Sequence, residues 1–158
     1  VTDRRTELSQ RLAELRGRIE AGCVAAGRDP DDVTLVAVTK TFPASDVRHL
    51  AALGITDVGE NRDQDASAKY AECADLGLRW HMVGQLQRNK ARSVSTYADV
   101  VHSMDRIPLV AALSDAATAA GRTITALVQV NLDENAAVGR GGAVPAAVPD
   151  LAAASTLA

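Results

Sequence analysis

Two hydrophobic periodicities alternate along this chain, and that alternation constrains its fold more than any other feature. VTLVAVTK (33–40) is a continuous apolar run rich in β-branched residues, and ITDVGE, LRWHMVG, ADVVHSMD and TITALVQVN follow it at intervals. Lacking polar alternation, such runs read as strands covered on both faces, as in parallel α/β sheets. The segments between them carry helical spacing. Val47, Leu50 and Leu53 share a face between Pro43 and the stop at Gly54, and Ala66, Tyr70, Cys73 and Leu76 align in the next segment. A short polar helix passes through Asn89, Lys90 and Arg92, and a longer one runs from Ile107 to Ala120, with Asp105 as its candidate cap. An amphipathic helix bearing Leu8, Leu12, Leu15 and Ile19 precedes them all and ends at Gly27 and Asp29-Pro30-Asp31.

The expectation is five parallel strands near 33–40, 55–59, 79–84, 99–103 and 123–130, joined by right-handed βαβ crossovers. A doubly wound open sheet would be complete at 158 residues, whereas a TIM-type (β/α)8 barrel needs roughly 250. The tail VPDLAAASTLA (148–158) reads as a helix just begun, with Pro149 and Asp150 near its start and neither a basic last turn nor a glycine stop. We therefore expect the N-terminal five βα units of a TIM-type α/β barrel, with residues 1–158 forming part of a single domain.

Composition excludes several classes of function. With 17 Lys+Arg against 20 Asp+Glu the net charge is −3, which argues against a nucleic-acid-binding domain. No apolar stretch reaches the length of a membrane span, and the polar start VTDRRTELSQ is unlike a signal peptide. Cys23 and Cys73 supply neither a disulfide framework nor a thiolate cluster. A cytoplasmic location is expected.

In parallel α/β folds, reactive groups gather at the C-terminal strand ends. Here those ends read Thr39-Lys40, Gly59-Glu60-Asn61, Gly84-Gln85, Ser103-Met104-Asp105 and Gln129-Val130-Asn131. The chain has only three lysines, Lys40, Lys69 and Lys90, and Lys40 closes an apolar strand. Burial there would favour the free amine, whose natural use is a Schiff base with an aldehyde. Snorkelling to solvent, or pairing with Glu60 on the next strand, is the structural alternative. Lys69, beside Asp65 and Glu72 on a helix, is expected to be a solvated surface residue. Asn61 suits either a ligand ring or a helix cap. His81 reads as a core or pore-facing histidine, and no histidine has acids at metal-ligand spacing. The glycines of GRGGA (139–143) suit a flexible loop or an anion cradle.

LVAVTKTFP (35–43), DVGENRDQ (57–64), WHMVGQLQRNK (80–90) and VVHSMDR (100–106) together resemble, in order and spacing, the pyridoxal phosphate homeostasis family (YggS/PROSC). The resemblance runs over essentially the whole chain and implies a barrel like the N-terminal domain of alanine racemase. It implies that Lys40 forms an aldimine with pyridoxal 5′-phosphate, that Asn61 lines the cofactor pocket, and that His81, Asn89 and Lys90 shape the pocket without making bonds. In the family the cofactor phosphate is gripped mainly by a serine and a glycine-threonine pair late in the chain, beyond residue 158. The function so implied is non-catalytic: pyridoxal phosphate is held and passed to transient apoenzyme partners by a monomer or weak dimer, without nucleic acid or membrane. A pyridoxal-phosphate-dependent racemase or a Schiff-base aldolase on the same barrel is the enzymatic alternative. Racemisation requires a group on each face of the α-carbon, and Tyr70 and Tyr97, the available tyrosines, fall in or beside helices. An interaction module with no chromophore on Lys40 is a third class.

Overall fold

A computed structural model describes residues 3–132, 142–143 and 148–156. Five strands, β1 (Val36–Val38), β2 (Asp57–Glu60), β3 (Arg79–Met82), β4 (Val100–Met104) and β5 (Thr125–Val128), form one sheet. All four pairings are parallel, and the spatial order is β1-β2-β3-β4-β5. A doubly wound sheet reverses direction at a switch point; this sheet winds one way only, as a barrel wall does.

The helices follow the same progression: α1 (Arg4–Ala25), α2 (Ala44–Ala52), α3 (Asp63–Cys73), α4 (Ala91–Val94), α5 (Ile107–Ala120) and α6 (Val148–Thr156). Each packs against the next in chain order. Alanine-rich faces, with 30 alanines in the chain, let these helices lie close to the strands. Every expected strand is present but shorter than its apolar run. Val33–Leu35 instead lead out of a 3-10 turn at Pro30–Asp32, and Thr39 begins a turn. α5 has its expected bounds, but Asp105 does not cap it. Arg106 takes the N-cap position, while the Asp105 carboxylate accepts from Gln85 Nε2 and the Arg106 guanidinium, both at 2.6 Å.

Strand alternation separates two faces. A Cβ on Gly59 would meet Val36, Val38 and Val83 at 3.2–3.3 Å, so these residues share the inner face, the concave side of a barrel wall. Val58, Glu60, Trp80, Met82 and Val101 point the other way and are buried under the helices with Val47, Ala66, Leu109 and Leu113. Cys23 and Cys73 are free thiols, both buried. Among the described residues, no helix is long and apolar enough to cross a membrane. Of the GRGGA run only Gly142 and Ala143 lie within the described residues, and Ala143 forms an isolated parallel bridge with Val130.

Candidate functional site

The C-terminal end of β1 turns sharply. Thr39 N–H donates to Gly59 C=O at 2.9 Å, continuing the ladder, and Thr39 C=O accepts from Phe42 N–H at 3.1 Å, closing a four-residue turn. Thr41 is its third residue and sits at a φ of 69°, the sign a type II turn requires there. It alone among the described non-glycine residues has a positive φ, an uncommon state for a β-branched side chain. Lys40 rides on this turn. It is exposed and makes no hydrogen bond or ion pair within the described residues. The burial expected for its amine is therefore corrected: the strand ends at Val38, and the turn carries Lys40 out to the rim.

The partner foreseen for Lys40 belongs to another lysine. Glu60, 1% exposed, points to the helix side, where its Oε1 accepts from Lys69 Nζ and from the Thr39 hydroxyl, each at 2.6 Å. Lys69 Nζ also donates to Thr39 C=O at 2.7 Å. Its side chain is only 12% exposed, so the solvated surface position expected for Lys69 is corrected. The reason lies in helical geometry. Lys69 stands three residues after Ala66 and four before Cys73, both fully buried, and so shares the face of α3 turned to the sheet. Glu60 Oε2 is buried without a hydrogen-bond partner.

Asn61 follows β2 at the same rim and is exposed. Its backbone and side chain press against Gly84 after β3: a Cβ at Gly84 would lie 2.1 Å from Asn61 O and 2.6 Å from Oδ1. Only glycine lets these two strand ends meet. Beside them a cleft of about 450 Å³ is lined by Asn61, Arg62, Gln85, Gln87 and Lys90. Lys90 Nζ lies 3.5 Å from Asp63 Oδ2, while Asp63 Oδ1 accepts from Ser93 and Tyr97. Asn89 is exposed. Tyr97 and Tyr70 pack with Trp80 in the helix-side core. Burial, with the Asp63 charge next, pushes the Tyr97 hydroxyl far above its ordinary range.

A polar row crosses the inner face below the rim. Asp57 Oδ1 is 2.8 Å from His81 Nε2, and His81 Nδ1 is 2.9 Å from His102 Nε2. The carboxylate accepts, so His81 carries its proton on Nε2, and in the neutral ring Nδ1 then accepts from His102 N–H. Burial raises the Asp57 pKa, but hydrogen bonds from Thr56 and His81 outweigh it and hold the carboxyl below its ordinary value. Burial, the largest cause, holds His102 below its ordinary value. Among the described residues, no group of three His, Cys, Asp or Glu side chains is arranged to hold a metal.

The structure thus brings Lys40 and Asn61 to one rim, on neighbouring strands, and sets His81 a layer deeper, in register with Gly59. Both His81 ring nitrogens are engaged by protein, Nε2 by Asp57 and Nδ1 by His102. A free primary amine beside an uncommitted amide suits a carbonyl compound bearing ring hydrogen-bonding groups. Sequence reasoning missed the Thr39–Glu60–Lys69 cluster, although the spacing of Lys69 from Ala66 and Cys73 carried the signal.

Fold and rim together define a (β/α)-barrel segment that presents an amine at the end of its first strand. The chain is homologous to the pyridoxal phosphate homeostasis proteins over about nine tenths of its length. It is 44% identical over 155 residues to the Mycobacterium leprae protein of that name, covering 89% of this chain and 60% of the relative. It is 36% identical over 152 residues to the Escherichia coli K12 protein, covering 94% and 64%. The structure of PipY from Synechococcus elongatus with pyridoxal phosphate bound matches with a TM-score of 0.73 at 37% identity, covering 90% of this chain and 63% of PipY. PipY without it matches with a TM-score of 0.75, also at 37% identity, covering 92% and 64%. No family model matches the sequence. The chain spans 60–64% of the length of these curated relatives.

Proposed function

We propose that this chain forms the N-terminal part of a single barrel domain that holds pyridoxal 5′-phosphate covalently on Lys40 and takes part in its homeostasis without turning over a substrate. The observation that carries this reading is the Lys40 amine, exposed and unpaired within the described residues, on a scaffold shared with PipY, whose structure is known with the same compound. Pyridoxal phosphate supplies an aldehyde that condenses with a primary amine, releasing water. Lys40 offers that amine from a fixed turn, and the exposed Asn61 side chain offers a donor and an acceptor for orientation. His81, tied at both nitrogens, supports the wall beneath. The same reading has a cytoplasmic protein, monomeric or weakly dimeric, that hands its cargo to apoenzymes.

Borohydride trapping followed by peptide mass mapping of the full-length protein tests the assignment. A pyridoxyl label on the peptide containing Lys40, absent from Lys40→Ala, is the expected outcome. A label on Lys69 or Lys90 with none at Lys40 overturns it.

A further inference from the structure

We infer that Lys69 is a positioning residue for the rim: with Glu60 it clamps Thr39 from the helix side and so fixes the turn that displays Lys40. The inference rests on the role proposed for Lys40 and adds to it a second lysine that never meets the cofactor.

The geometry concentrates on one residue. Every polar group of Thr39 is engaged: its N–H on Gly59, its hydroxyl on Glu60, and its carbonyl on both Phe42 N–H and Lys69 Nζ. Thr39 is 2% exposed, Glu60 1% and the Lys69 side chain 12%. The three form a closed triangle, because Lys69 touches both Glu60 Oε1 and Thr39 C=O while Thr39 itself reaches Glu60. Charge-assisted hydrogen bonds of this kind are stronger and more directional than neutral ones, the more so where water is excluded.

The turn above needs such an anchor. Thr41 holds a left-handed φ that a β-branched residue adopts only when its surroundings impose it. The one backbone bond closing the turn ends on Thr39 C=O, the atom that Lys69 also grips. If Thr39 shifts, its neighbour Lys40 shifts with it, and the flexible four-carbon stem of Lys40 then starts from the wrong place. Misplacing a reacting group by about 1 Å costs on the order of a hundredfold in rate. Glu60 Oε2, left without a partner, shows that the carboxylate is directed at Thr39 and Lys69 through a single oxygen.

The test separates positioning from stability in the full-length protein. Lys69→Met alone strands the Glu60 charge, so the informative variant is the charge-free pair Glu60→Leu with Lys69→Met, alongside Lys69→Arg, which keeps a donor. Three readouts are taken: thermal unfolding, hydrogen exchange of the Phe42 amide, and the rate of pyridoxal phosphate adduct formation followed by absorbance. The inference expects a folded double variant with faster Phe42 exchange and adduct formation slowed by about tenfold or more, and partial rescue in Lys69→Arg. A folded double variant with wild-type adduct formation overturns it, whatever the exchange rate. Should that double variant fail to fold, Glu60→Gln with Lys69→Met, which is charge-free, close in shape and lacks the donor to Thr39 C=O, decides through the same two readouts, and wild-type values for both overturn the inference. Failure of the underlying assignment looks different. In that case the wild type itself carries no label on Lys40, and the clamp then stands or falls on Phe42 exchange alone.

Discussion

Two lysines flank Thr39 and occupy opposite kinds of surroundings. At the rim, Lys40 is exposed and unpaired within the described residues, on a turn that contains a left-handed threonine. On the helix side, Lys69 is largely buried, pairs with Glu60 at 2.6 Å and grips the Thr39 carbonyl. The same side chain is thus put to contrary uses about one peptide unit. A buried lysine is committed to its partners and serves structure; a lysine free for chemistry has to be lifted out of the packed layer. Strand β2 shows the same division in its carboxylates, sending Asp57 to a histidine on the inner face and Glu60 to a lysine on the outer one.

The largest expected effect sets the two lysines against each other in stability. Lys69→Met removes one half of a buried pair and leaves Glu60 uncompensated, which costs about 3–5 kcal/mol. Lys40→Ala, at an exposed turn position, changes stability by less than about 0.5 kcal/mol. Chemical denaturation of both variants checks this, and equal losses would abolish the contrast.

Sequence alone made one half of this contrast legible. The alternation of apolar runs with helical spacing locates all five strands and sets α5 between Ile107 and Ala120, because burial on both faces leaves a composition that no loop shares. Strand ends were less visible. VTLVAVTK is apolar through Val38 and gives no sign that Thr39 leaves the ladder to close a turn, since that depends on a carbonyl and on a lysine thirty residues away. Lys69 was misjudged for a related reason. Its neighbours Asp65 and Glu72 suggest a solvated face, but the spacing to Ala66 and Cys73 decides which way it points. The Asp57–His81–His102 row was equally hidden, as three separate strands contribute to it and only their register brings them together.

The next effect compares the inner face with the outer one under acid. His102 has its pKa lowered in the fold, so between that value and about 6.5, its ordinary value, the unfolded chain binds more protons and stability falls as pH is lowered. Asp57, also lowered, adds a second loss further down, as pH falls from about 3.9 through its folded value. Each unit of separation is worth about 1.4 kcal/mol. His102→Gln is expected to flatten the upper part of the profile measured by urea denaturation across pH 4–8. An unchanged slope would show that the inner row carries no such linkage.

The smallest effect concerns the turn itself. Thr41→Gly relieves a left-handed threonine at the cost of a more flexible unfolded chain, and a net gain of about 1 kcal/mol is expected. A loss of stability on thermal denaturation would mean that contacts of the Thr41 side chain outweigh its backbone strain.

The unbroken strand order has a consequence for how the chain is made. Every strand of the sheet pairs with the one synthesised just before it, and every helix packs on its predecessor, so no early segment waits for a distant late one before it can be covered on one side. Contacts between successive units, such as Val36 with Asp57, close shorter loops than pairings between remote strands would, and so cost less chain entropy. A ribosome releasing the chain from its N-terminus therefore delivers units in the order in which they can dock. Thr39 and Glu60, the partners across β1 and β2, are both synthesised before Lys69. The grip on the rim turn is completed only when α3 arrives, so the display of Lys40 becomes fixed one unit after Lys40 itself is made.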